Sequence, residues 1–160
     1  MGNGVTLLGQ SVDFSGADVE ELGLGIRVDR ADAALPATTS AAIFTVTGLV
    51  MITQFLGVVG TVIETQACNL SLESNPTAAG SNVALCAVLN ISAAVAASLF
   101  GITGTLATAM HNGLAIIAQV TPVIVRAGTV EQKTSATNTG TIAWSCWYRP
   151  LSAGATVVAA

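Results

Sequence analysis

Charged residues are scarce in this sequence: Asp, Glu, Lys and Arg make up 9% of the 160 residues, against about 25% in a typical soluble protein. Glu, Lys and Arg keep exposed helix faces soluble, and here they are too few to dress several helices. Only five residues are Lys or Arg and the net charge is −4. Such a chain has no basic stripe to neutralise phosphates, which argues against direct nucleic-acid binding. Cysteine is equally sparse. Cys68, Cys86 and Cys146 are odd in number and widely spaced, which excludes a disulfide framework and a C-x-x-C metal site and leaves them as small buried hydrophobes.

Titratable groups are too few for the usual catalytic constellations. His111 is the single histidine, and beyond residue 35 the carboxylates are Glu64, Glu73 and Glu131. Ser/His/Asp, paired-carboxylate and two-His metal arrangements all fail on numbers. His111, within Met110-His111-Asn112-Gly113, reads as a solvated loop residue. Gly23-Leu24-Gly25 lacks the third glycine of a dinucleotide fingerprint and no strand–helix unit frames it. The expectation is a non-enzymatic protein without cofactor or metal. The opening residues MGNGVTLLGQSVDF show no basic n-region and no continuous apolar h-region, so no secretory signal is expected and synthesis in the cytoplasm follows. The sequons at Asn69 and Asn90 then go unglycosylated. Residues 41–63 carry no charge and could cross a bilayer by length. Yet they hold Thr45, Thr47, Thr53, Gln54 and Thr61, are cut by Gly48, Gly57 and Gly60, and lack flanking Lys or Arg, so no membrane span is expected.

What the sequence has in abundance is Ala, Val, Thr, Gly and Ser. Val and Thr suit pleated, half-buried surfaces, while Gly and Ser suit tight turns. Eight of the fourteen charged residues fall within residues 13–32, which divides the chain. Residues 1–35 read as an extended N-terminal arm with one short strand at 24–28, and residues 36–160 as an all-β body, a β-sandwich or jelly roll of eight to ten short strands. Within the body, 43–47 and 49–55 read as a hairpin about Gly48, 58–72 as a long strand run, and 83–90 as a strand. Residues 92–99 suit one or two helical turns. Short strands follow at 100–103, 113–120, 122–126, 129–134, 141–149 and 156–158.

Residues 141–149 are the most informative. Alternation puts Ile142, Trp144, Cys146 and Tyr148 on one face and Ala143, Ser145, Trp147 and Arg149 on the other. An aromatic on each face fits a strand covered on both sides, either by a partner subunit or as the centre of a sandwich core. Trp144, Trp147, Tyr148 and Arg149 are therefore candidate interface anchors. The charged arm admits three readings: a solvated tail, a small acidic ligand loop, or a clasp on a partner. Its regularly spaced hydrophobes favour the clasp, and Phe14, Leu22, Leu24, Arg27 and Arg30 are its candidate contacts. Asp13, Asp18, Glu20 and Glu21 lack calcium-loop spacing.

Two segments resemble small structural proteins of tailed bacteriophages. One runs from Ala42-Ile43-Phe44-Thr45-Val46-Thr47-Gly48 through Val62-Ile63-Glu64-Thr65-Gln66 to Asn75-Pro76-Thr77. The other is Gly140-Thr141-Ile142-Ala143-Trp144 with Tyr148-Arg149-Pro150-Leu151 and Gly154-Ala155. Together they span about a third of the chain and contain no catalytic motif. The likeness is to capsid decoration, or cement, proteins. It implies a homotrimer on the outer surface of a shell of major capsid protein, in the virion, bracing that shell against internal DNA pressure. A trimeric tail or fibre knob that binds a host glycan fits the same resemblance.

Overall fold

A computed structural model describes residues 23–160 throughout, together with the backbone of two strands before them. Those two, β1 (Asn3–Leu7) and β2 (Gln10–Phe14), pair antiparallel with Val5 opposite Val12. Ten further strands form one antiparallel sheet: β3 (Ile26–Ala34), β4 (Ser40–Val59), β5 (Asn69–Pro76), β6 (Val83–Ala84), β7 (Leu89–Asn90), β8 (Leu99–Gly101), β9 (His111–Gly113), β10 (Val123–Thr134), β11 (Thr141–Pro150) and β12 (Thr156–Ala159). The protein is all-β, as the Val/Thr-rich composition predicts. The spine of the sheet runs β3-β11-β4-β10-β5-β6.

β4 organises everything else. Its twenty residues are one strand, where the sequence predicts a hairpin about Gly48. Gly48 does adopt a left-handed conformation, φ 71°, but the chain bends there without reversing. The loop after β11 explains why. A Cβ on Gly48 would lie 2.7 Å from Ser152 Oγ, the atom that accepts the Leu49 amide at 3.0 Å. β11 and β12 therefore lie end to end along one edge of β4, with the 151–155 loop seated on the bend. Gly128 in β10, φ 151°, makes a second irregularity against β4, so 122–126 and 129–134 also merge into one strand.

The bend closes the core. Phe44 and Phe55 are eleven residues apart on β4, a separation of roughly 36 Å along a straight strand, yet their ring centroids are 6.1 Å apart. The sheet thus curls until its two halves share one interior. Trp144 Nε1 on β11 donates to Gln132 Oε1 on β10 at 2.9 Å across that interior. Ile43, Phe44, Ile52, Phe55, Leu70, Leu72, Phe100 and Ile142 have no exposed surface. Burying such side chains contributes about 1.5–3 kcal/mol each before entropy is subtracted.

The boundary expected at residue 35 shifts. Ile26–Ala34 is the outermost strand of the main sheet, in register with β11 from Ile26–Tyr148 to Ala34–Thr141, so the body begins before it. Four charges on nine residues suit a strand with an open edge, because charge there discourages edge-to-edge pairing. Between β5 and β10 the predicted strands mostly dissolve into turns around β6 to β9. Residues 92–98 are turns, with Ala93 and Ala97 at positive φ, conformations that end a helix before it starts. Among the described residues no helix is long and apolar enough to cross a membrane, and the charge-free run 41–63 is mostly β4.

Candidate association surface

The alternation read in residues 141–149 is present in three dimensions. Ile142, Trp144, Cys146 and Tyr148 are buried and face the core, while Ala143, Ser145, Trp147 and Arg149 are partly exposed on the outer face. The candidate anchors therefore separate. Trp144 and Tyr148 are interior side chains and not surface contacts: Trp144 packs where Gly57 leaves room, since a Cβ there would sit 2.8 Å from its ring. Cys146, beside them, has its thiol pushed up to about 12 by burial, which leaves it protonated and unreactive. Arg30 faces the same way, in register with Trp144, with Nε and Nη1 shielded from solvent.

Trp147, Arg149 and Arg27 share the outer face. Arg27 lies over the Trp147 ring, 5.1 Å from its centroid, and its Nε donates to Asp29 Oδ1 at 2.8 Å. Ser145 Oγ donates to the same oxygen at 2.6 Å. The serine bond, with help from Arg27 and against some burial, holds the Asp29 carboxyl below its usual range. Arg149 donates to the Gly23 carbonyl, and Leu24 is 46% exposed. Phe14 lies on β2, which is described by its backbone only, and Leu22 falls outside the described residues, as do Asp18, Glu20 and Glu21.

Further along the outer face, Glu73 and Glu131 stand directly opposite one another on β5 and β10, a pairing invisible in the sequence. Like charges so placed repel, and each is met by its own donors. Glu131 Oε1 accepts from Asn75 Nδ2 at 2.9 Å and Thr129 Oγ1 at 2.7 Å. Burial pushes its pKa up, but bonds from Asn75, Thr129 and Ser40 and the nearby Lys133 charge outweigh it and hold the carboxyl below its ordinary value. Glu73 accepts from Asn82 at 2.9 Å and from Lys133 at 3.4 Å. Both carboxylates are thus engaged by side chains of the fold. His111 sits on β9, half-exposed, and among the described residues no three His, Cys, Asp or Glu gather as metal ligands.

Exposed apolar surface among the described residues lies elsewhere. Residues 74–125 contain no Asp, Glu, Lys or Arg. They supply eight of the twelve large hydrophobic side chains exposed among the described residues, including Leu114 at 75%, Ile117 at 64%, Val120 at 78% and Ile124 at 64%. Beside Ile124 is an apolar groove of about 520 Å³ lined by Pro76, Val83, Leu85, Leu106 and Pro122, with Arg126 on its wall. The sequence signal for this surface is the long gap in charge, which is easily passed over when attention goes to aromatic residues. No family model, curated protein or solved structure matches the chain.

Proposed function

We propose that this protein is a structural subunit of a tailed-bacteriophage virion, a capsid decoration protein that forms a homotrimer and covers the outer surface of the major capsid protein shell. One observation carries the reading: the exposed apolar side chains of residues 83–124 sit in a stretch with no charge. Contiguous exposed apolar surface on a folded chain marks association. The resemblance of residues 42–77 and 140–155 to decoration proteins supplies the shell. Neither nucleic acid, membrane nor cofactor enters the reading, and no chemistry is assigned to any side chain.

The work such a subunit does is additive. An interface of standard size buries about 1,600 Å², and a subunit that binds the assembled shell but not its dissociated parts stabilises the shell by linkage at every lattice position. Purified protein added to shells stripped of it should co-sediment with them and raise the temperature at which they open. A protein that leaves stripped shells bare overturns the reading. A tail or fibre module that binds a host glycan is the second reading, favoured by the outward placement of Trp147 beside Arg27 and Arg149. Antibody labelling of heads against tails separates the two.

A further inference from the structure

Residues 114–120 form a knuckle whose backbone is pinned from below. The Gln119 amide donates to Gln54 Oε1 at 2.8 Å, and Gln119 Nε2 donates to the carbonyls of Ile52 at 3.3 Å and Thr121 at 2.8 Å. Gln119 is 9% exposed. Ile116 turns inward against Gly101, where a Cβ would meet its Cδ1 at 2.7 Å. Leu114, Ile117 and Val120 are left pointing outward from a fixed loop. A backbone held this way need not be ordered when something covers the loop, so less of the gain from burying these side chains is lost on association.

The groove lies next to the knuckle on the same copy, joined through Thr121 and Pro122. It cannot be filled by its own knuckle, because the amides of Val120 and Thr121 bond to the Thr103 carbonyl at 3.3 and 3.4 Å and Thr121 packs on Gly104. Knuckle and groove are both apolar, and both fall in the charge-free stretch apart from Arg126. Charges on a partner would be buried there with only Arg126, on the groove's wall, to meet them, and each one left unpaired disfavours the contact. The surface that fits is therefore uncharged, apolar and convex, which describes the knuckle of a second copy.

We propose that copies of this chain associate head to tail, the 114–120 knuckle of one filling the groove between Val83, Leu106 and Ile124 of the next. Knob and hole are different patches, so the head-to-tail contact is heterologous: where its rotation closes it makes a ring of three or more copies, and otherwise an open filament. This deepens the self-association in the proposed function and rests on that part of it, without requiring the shell.

The test uses the full chain in sedimentation velocity. Wild type should run as one discrete oligomer, and Ile117→Asp (knob) and Leu106→Asp (hole) should each be monomeric, with the dissociation constant raised at least 100-fold and circular dichroism unchanged. Mixing the two variants should give a 1:1 heterodimer, since one intact knob then meets one intact hole. Should either aspartate unfold the chain, Ile117→Ser and Leu106→Ser replace them and should also dissociate the ring. A monomeric wild type, variants that stay oligomeric, or a mixture without heterodimer overturns the inference. An oligomer that dissociates as described yet ignores stripped shells removes only the decoration reading, and a monomer that coats shells removes this inference and the homotrimer while leaving the shell-binding reading standing.

Discussion

The two ends of β10 are finished to different degrees. At its last third, Glu131 and Lys133 face outward into a network where Asn75, Thr129, Glu73 and Asn82 satisfy each polar group. At its first third, Ile124 is 64% exposed above an apolar groove, and no side chain among the described residues covers it. A strand thus meets its polar obligations internally at one end and leaves an apolar one open at the other. Partly buried charge destabilises unless paired on the spot, whereas exposed aliphatic surface is tolerated in the monomer and gains by association later. Exposed apolar surface, more than charge or aromatic content, is therefore what the proposed association rests on.

The sharpest way to break that comparison is through the aromatic residues. Trp144→Ala should cost about 3–5 kcal/mol of folding stability, because it empties a core position and leaves Gln132 without its bond. Trp147→Ala, on the outer face, should cost about 1 kcal/mol or less. Urea denaturation of both gives the contrast, and equal losses would show that β11 has no outward face. Next in size is Gly128→Ala, at the irregularity between the two ends of β10. Its Cβ would run into the Asn75 carbonyl at a φ that side chains rarely adopt, so a loss of about 1–3 kcal/mol is expected in the same assay.

Glu131→Gln probes the finished end by pH. The folded carboxyl titrates below its ordinary value, so its contribution is present above the unfolded pKa of about 4.3 and is lost as pH falls through the folded one. The variant should be less stable than wild type by about 1 kcal/mol at pH 7. The gap should narrow below pH 4, as thermal unfolding across that range would show. A gap independent of pH would mean that shape, and not charge, sets the network. Smallest of all, Ile117→Ser should leave monomer stability within about 0.5 kcal/mol, since the side chain it removes is already in water.

Much of the fold was legible where local chemistry has one answer. The period-two pattern of residues 141–149 admits a strand with Ile142, Trp144, Cys146 and Tyr148 on one face, and that is their arrangement. Gly48 was legible only as a special position. A glycine at positive φ serves a chain reversal or a bend within a strand equally well, and the choice fell to Ser152 and Ala155, more than a hundred residues away. Trp144 and Trp147 could not be sorted into core and surface either, since both faces of their strand carry aromatics. The apolar surface of residues 83–124 was written in the absence of charge, but its groove depends on side chains from β5, β6, β10 and the 103–106 turn converging.

By itself the sequence determined that the protein is all-β, that its cysteines are unpaired and that its surface beyond β3 would carry little charge, because composition and local alternation act residue by residue. Tertiary structure alone decided that β4 is one bent strand, that Glu73 and Glu131 would meet, and that β3 belongs to the sheet. Each of these depends on which distant segment arrives opposite, a choice governed by the closing of a common core and not by the chemistry of neighbours in the chain.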